Sequence, residues 1–288
     1  MKRMARRSAA RCMLLDVGNS RLKWQLVLPH AQGPRSRSAG TVCASGSLDV
    51  AALRRSGKSL AQVLRQGGPD ARIYVCNVAG PGIERRVRAA AAAVGMRAPR
   101  FVRTTASAAG IVNGYVEAWR LGVDRWVALI GAHHRHPRRN LCVVSIGSAM
   151  TIDVLAANGR HQGGSITPGP YLMLDALLQS TAGISRRAGA RSAAALSGAG
   201  GRAAAPARDS WFAHDTRSAL LSGCLHAGAE LIERTLIEAR KRFGFRPRLL
   251  VTGGGADCIV PLLRTRYRRD DTLVLHGLAV LAAEHRAR

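Results

Sequence analysis

The segment Asp16-Val-Gly-Asn-Ser-Arg-Leu-Lys23 gathers the groups that phosphate chemistry uses. Glycine at a turn removes a Cβ and lets backbone N–H groups approach phosphate oxygens. Asn19 and Ser20 add side-chain donors, and Lys23 can reach a terminal phosphate as a point charge. Asp16, at the end of an apolar run, can hold Mg²⁺ directly or through water, because that ion favours one or two carboxylates together with phosphate oxygens. The same residues also suit an ordinary hairpin, with Asn and Ser serving turn geometry.

A second turn repeats the pattern. Leu14–Trp24 lines up without a gap against Val143–Asp153: two apolar residues, a polar one, an apolar one, then Gly and a small polar residue. Gly147, Ser148 and Thr151 could meet phosphates there. Two such turns facing each other across a cleft would clamp a nucleoside triphosphate. Val251-Thr-Gly-Gly-Gly-Ala256 follows a short apolar run, and its glycines would let backbone lie flat against a base or ribose; the plainer reading is a strand–helix loop. Gly122-Val-Asp-Arg125 opens a helical pattern. A carboxylate at a helix N-terminus is stabilised, so Asp124 could accept a proton from a substrate hydroxyl. Arg125 could bind a substrate carboxylate or the transferring phosphoryl group. The competing reading is an Asp N-cap beside a solvated Arg.

These motifs need elements to carry them. Met13–Val17 and Leu22–Leu28 read as strand, tight turn, strand. Helical spacing covers Ala51–Gln66, Gly82–Val94, Leu121–His134, Tyr171–Thr181, Asp215–Phe243, Ile259–Leu263 and Leu275–Glu284. Ile73–Val78, Phe101–Thr104, Leu141–Ile146, Met150–Leu155 and Leu249–Val251 read as strands. Strands alternating with helices predict an α/β fold. A polar break from His133 to Arg139 predicts a boundary between an N-terminal domain over 12–136 and a related C-terminal domain over 137–288. Residues 185–208, made of Arg, Ala, Gly and Ser, read as a loop or partly disordered insert. Residues 1–11 read as a disordered basic tail, or as an over-long start with Met4 or Met13 as alternatives.

Composition narrows the function classes. Lys and Arg number 44 against 17 Asp and Glu, a formal charge of +27. That excess could serve nucleic acid, yet the arginines are spread along the chain and aromatics are only 4%. Few side chains therefore interleave to stack on bases. A coding bias towards Arg, Ala and Gly explains the charge more simply, leaving non-specific adhesion to polyanions. The six cysteines form no CxxC pair, so they read as reduced, buried thiols of a cytosolic protein. No apolar stretch approaches the length of about 18 residues that a membrane span needs. His133, His134 and His136 read as a surface cluster rather than a metal site, and Trp211 and Phe212 as a dimer contact or a local core anchor.

The combination DVGNSRLK, GVDR, IGSAMTID with GGSITPG, and TGGGAD resembles the type III pantothenate kinase family, in order, from about Met13 to Glu284. The resemblance implies two related actin-like ATPase domains of the ribonuclease H-like, acetate and sugar kinase/Hsc70 kind, with an interdomain nucleotide cleft. It implies ATP- and Mg²⁺-dependent phosphorylation of pantothenate to 4'-phosphopantothenate, opening coenzyme A synthesis in the cytoplasm. A homodimer and a monovalent cation, NH₄⁺ or K⁺, come with it. Carried over by residue, ATP falls to Asp16, Val17, Gly18, Asn19, Ser20, Arg21, Leu22, Lys23 and Ser148, with Asp16 also holding Mg²⁺ through water. Asp124 becomes the general base. Tyr115, Gly122, Val123, Asp124, Arg125 and Thr216 line the pantothenate site. Ser145 stands where the family has the Asp that ligates the monovalent cation, Ser148 where it has Thr, and Met150 is bulkier than the pattern and expected to reshape the turn. A catalytically weak regulatory or nucleic-acid-associated accessory factor is the alternative those departures leave.

Overall fold

The computed structural model describes residues 11–29, 40–197 and 211–287. Its first sheet is built on β1 (Cys12–Val17), where every residue but Asp16 is buried. An unbroken apolar run suits a central strand covered on both faces. β2 (Arg21–Pro29) pairs antiparallel to it and β3 (Gly40–Asp49) continues that meander; β4 (Arg72–Asn77) and β5 (Arg100–Phe101) follow in parallel on the other side. The strand order is β3-β2-β1-β4-β5. On one face lie α1 (Val50–Arg55), α2 (Lys58–Arg65) and α3 (Pro81–Ala93), joined to the sheet by Met13, Leu15, Leu53, Leu60, Ile83 and Val87. A small ribbon of β6 (Ser107–Ala108) and β7 (Ile111–Val112) precedes α4 (Val123–Arg135). The other face receives α4 and the C-terminal helix Leu273–Ala287.

A second sheet repeats the plan. β8 (Leu141–Ile146), β9 (Ala149–Leu155) and β10 (His161–Pro168) form the antiparallel meander, and β11 (Arg248–Thr252) and β12 (Tyr267–Arg269) add in parallel. The order β10-β9-β8-β11-β12 copies the first sheet strand for strand. Between β10 and β11 run α5 (Pro170–Ser180), α6 (Ala182–Ala188), α7 (Ala193–Ser197) and α8 (Thr216–Phe243), with α9 (Ala256–Ile259) after β11. Met150, Ile152, Leu225, Ile232 and Val251 meet in the core of this unit.

The chain divides into two compact units, Met1–Arg138 with Asn158–Arg160 and Thr272–Arg288, and Arg139–Ala157 with His161–Asp271. The C-terminal helix therefore belongs with the first unit, not with residues 137–288 as the polar break predicts. The reason is a backbone-to-backbone crossing. A Cβ on Gly131 of α4 would lie 2.1 Å from the Leu273 carbonyl oxygen, and one on Gly277 would lie 2.0 Å from that of Val127.

Other expectations need correcting. Ala51–Gln66 is two helices: Ser56 turns extended, and its Oγ accepts the Lys58 N–H at 3.3 Å to start the second. Part of the expected insert is helical, because Ala188 and Leu196 pack with Leu174, Leu178 and Leu220; residues 198–208 lie outside the described part, as do residues 1–10 of the tail. β3 and β10 escape an apolar-pattern reading because both lie at sheet edges, β3 with no buried residue and β10 with His161 alone buried. Five cysteines are buried, but Cys43, on edge strand β3, is exposed. The histidines are not a surface cluster: His136 is buried, and His134 Nδ1 lies 3.0 Å from His276 Nε2 on the C-terminal helix. Trp211 stacks on His226 while Phe212 is 90% exposed, so the latter is no core anchor. Among the described residues no helix is long and apolar enough to cross a membrane.

Candidate active site

Directly opposed residues on paired strands present their side chains to the same face. Asp16 opposes Lys23 on β2 and Cys76 on β4, so Lys23, Asp16 and Cys76 form one row across the first sheet. Asp124, in the first turn of α4, acts on that row through its charge. The Asp16 carboxyl is pushed up from 3.8 to about 7, by burial first and by Asp124 as well, with Lys23 opposing. It keeps partial solvent contact while densely surrounded by protein. The Cys76 thiol is raised well above the usual thiol range, by burial first and then by the same two carboxylates. Burial is thus what lifts Asp16, and of the two charges acting on it Lys23 outweighs Asp124.

The turn after β1 is braced on all sides. Gly18 N–H donates to the Arg21 carbonyl at 3.0 Å, Val50 N–H to the Ser20 carbonyl at 3.0 Å, and Val78 N–H to the Val17 carbonyl at 3.0 Å. Asn19, Ser20 and Arg21 are exposed and Lys23 is half-buried, and Arg21 Nη1 donates to Ser47 Oγ at 3.4 Å. Val17 and Leu22 are wholly buried in the core and can offer a ligand only backbone atoms.

Asp124 is not the helix cap. Gly122 holds that position, and Asp124 Oδ1 accepts the Arg125 N–H at 2.9 Å. Nor is Arg125 solvated: it is 5% exposed, its Nη1 donates to the Tyr115 hydroxyl at 2.9 Å, and its guanidinium lies 5.5 Å from that ring's centroid. Tyr115 is positioned in turn by Asn113, whose Oδ1 accepts the Tyr115 N–H at 3.0 Å and whose Nδ2 donates to the Ala118 carbonyl at 3.0 Å. Asp16, Lys23, Asp124, Arg125 and Tyr115 therefore all belong to the first unit.

Ser145, Ser148 and Thr216 belong to the second unit. Ser145 opposes Thr151 and Thr252, giving a row of three hydroxyls where the first sheet has Lys23, Asp16 and Cys76. The β8–β9 hairpin is one residue shorter than its counterpart, since Ile146 opposes Met150 whereas Val17 opposes Leu22. The gapless alignment consequently slips after the turn, and Lys23 corresponds to Thr151 rather than to Ile152. Met150 does not shape the turn; it is buried in the core. Ser148 is exposed, with its carbonyl accepting the Gly169 N–H at 2.8 Å. Gly253, at φ +100, and Gly255 seat the loop after β11 on the end of β8: a Cβ on Gly253 would lie 2.3 Å from the Ile146 carbonyl oxygen. Thr216 begins α8, beside the Asp215 cap that accepts the Ser218 N–H at 2.9 Å.

Sequence reasoning missed Cys76 and Asn113. Cys76 read only as a buried thiol, although its place two residues short of Val78 made it the strand-end partner of the Asp16 level. Asn113 carried no signal beyond turn chemistry.

Fold and site together define a two-domain phosphotransferase of the actin-like ATPase and sugar-kinase class. The fold alone is shared with the activator of the 2-hydroxyisocaproyl-CoA dehydratase from Clostridium difficile, solved with ADPNP, at TM-score 0.52 and 11% identity over 96% of this chain and 95% of that one. The description of type III pantothenate kinases matches residues 12–238. The type III pantothenate kinase of Paraburkholderia xenovorans is 36% identical over 280 residues, covering 96% of each chain. That of Burkholderia thailandensis is 38% identical over 274 residues, covering 94% of this chain and 97% of its own. The chain belongs to the type III pantothenate kinase family. Its activity is the ATP-dependent phosphorylation of pantothenate in coenzyme A biosynthesis.

Proposed function

We propose that the row Lys23–Asp16–Cys76 and the neighbouring Asp124 form the reaction centre of this kinase. The observation that carries the assignment is the pair of carboxylates, Asp16 and Asp124, coupled at the phosphate-type turn with Asp16 pushed up to about 7. In this reading the backbone of Val17, Gly18 and Leu22, the side chains of Asn19, Ser20 and Arg21, and Lys23 cradle the ATP phosphates. Ser148 adds a hydroxyl to ATP. Asp16, at the end of β1 beside the turn, would hold Mg²⁺ through water, and the ion would supply charge neutralisation for phosphoryl transfer.

Asp124 takes the proton of the pantothenate hydroxyl. Arg125, locked against Tyr115, meets the pantothenate carboxylate beside Gly122 and Val123. Little covalent work is asked of the protein, because positioning and charge neutralisation dominate phosphoryl transfer. The hydroxyl row Thr151–Ser145–Thr252 suits a monovalent cation, NH₄⁺ or K⁺, held without the charge of a carboxylate and so more weakly. The protein works as a homodimer in the cytoplasm, and nucleic acid binds only through net charge.

Purified protein with ATP, Mg²⁺, pantothenate and varied K⁺ or NH₄⁺ tests this reading. Asp124→Asn is expected to lower kcat by roughly 10²–10⁴ with the KM for ATP little changed. Equal rates for wild type and Asp124→Asn would remove Asp124 from the chemistry.

A further inference from the structure

A second concentration of charge lies away from every residue placed in the reaction centre. α1, α3 and the loop before α3 border a cavity of about 580 Å³, lined among others by Arg54, Arg85, Arg86, Ala79, Gly82 and Ile83. That volume suits a phosphorylated small molecule. Arg54 lies in the last turn of α1, while Arg85 and Arg86 share the first turns of α3 with Gly82. No carboxylate or other hydrogen-bond partner meets any of these three guanidinium groups among the described residues. Glu84, the acid of that helix, is occupied elsewhere, at 2.8 Å from Arg88 and 3.1 Å from Arg103.

The start of α3 adds to the same field. Gly80, at φ +90, is its cap and supplies no side-chain acceptor; Pro81 has no N–H, so the N–H groups of Gly82 and Ile83 are left for an acceptor from outside. Cations near a helix N-terminus oppose the helix dipole. Arg85 and Arg86 are exposed, so water screens them at little cost to the empty protein, and an anion seated at the start of α3 would draw on both and on Arg54 in the last turn of α1. The loop is not free to collapse into the space. Asn77 Oδ1 accepts the Ala79 N–H at 3.0 Å and Asn77 Nδ2 donates to the Gly80 carbonyl at 3.0 Å.

We propose that this cavity is a binding site for a multiply charged phosphate compound, separate from the ATP and pantothenate sites. Guanidinium forks match the paired oxygens of phosphate, and Ala79 and Ile83 offer an apolar floor. The walls hang from the ATP turn: Val78 is bonded to Val17, and Val50 at the head of α1 to Ser20. The probe is inorganic pyrophosphate, titrated calorimetrically at constant ionic strength, without metal, into protein saturated with ADP. One equivalent is expected to bind. The double variant Arg85→Gln/Arg86→Gln is expected to weaken it at least tenfold, with its thermal midpoint without pyrophosphate unchanged. Arg65→Gln/Arg97→Gln removes the same charge from exposed positions elsewhere and is expected to bind as wild type does. Absence of binding to wild type, or an equal loss in both double variants, overturns the proposal.

Discussion

At the scale of one residue, Asp16 stands out by its proton affinity. Its ordinary carboxyl value of 3.8 rises to about 7, because burial and the Asp124 charge outweigh Lys23. The sign follows from proton counting. Between these values the folded protein holds a proton that the unfolded chain has released, so stability falls as pH climbs through that window. Asp16→Asn should then be more stable than wild type at pH 8, by on the order of 2–4 kcal/mol, with the difference vanishing near pH 4. Urea unfolding at the two pH values measures it. The same variant should lose most of its activity, and wild-type kcat/KM should rise with pH through about 7, at lower pH when Mg²⁺ saturates. A destabilised Asp16→Asn at pH 8 would show that the carboxylate is already compensated within the protein. That Asp16 ends a strand at a glycine turn was legible in the residue string. Its unusual proton affinity was not, since that comes first from burial by the folded chain and only then from Asp124, more than 100 positions later.

At the scale of elements, α4 is what places Asp124, and α4 is fixed by its crossing with the C-terminal helix. Gly131 and Gly277 let the two backbones touch, leaving no space for a methyl group. Gly277→Ala should force the helices apart and cost about 1–3 kcal/mol. Because the N-terminal turn of α4 carries Asp124 and Arg125, kcat should fall as well, although Gly277 lies at the far end of the chain. Denaturant unfolding and steady-state kinetics on the same preparation check both. Unchanged stability with full activity would mean that the crossing adjusts without disturbing the site. Most helices and central strands were readable from apolar spacing. The edge strands β3 and β10 were not, because exposed strands carry no burial pattern. The break at Ser56 was also hidden, because a single residue turning extended ends α1 and Gly57 opens α2 directly after it.

At the scale of the whole molecule, the two sheets share one strand order, and the Leu14–Trp24 echo in Val143–Asp153 was its trace in sequence. The repeat is one of architecture more than of chemistry. The first sheet's row carries Lys, Asp and Cys, and the second carries only hydroxyls. The formal charge of +27 is likewise a property of the whole chain. Retention on immobilised duplex DNA should be strong at low salt and fall steeply between about 50 and 200 mM, with no preference among sequences. Competition by unrelated duplexes measures this. A sequence-selective complex that survives about 200 mM salt would require a dedicated nucleic-acid surface instead.

The sequence by itself determined the local chemistry: a glycine turn with a carboxylate and a lysine, its echo, a helix opening with Asp and Arg, and the family these define. Those features are short-range, so spacing along the chain preserves them. Tertiary structure decided what lies far apart in the chain: the Asp16–Asp124 coupling, the burial of Arg125 against Tyr115, the return of the C-terminal helix to the first unit, and the cavity where Arg54, Arg85 and Arg86 converge. It also changed the reading of the opening turn. Val17 and Leu22 belong to the core, and Lys23, Asp16 and Cys76 form a row across the strands, because side chains meet across hydrogen-bonded strands rather than along them.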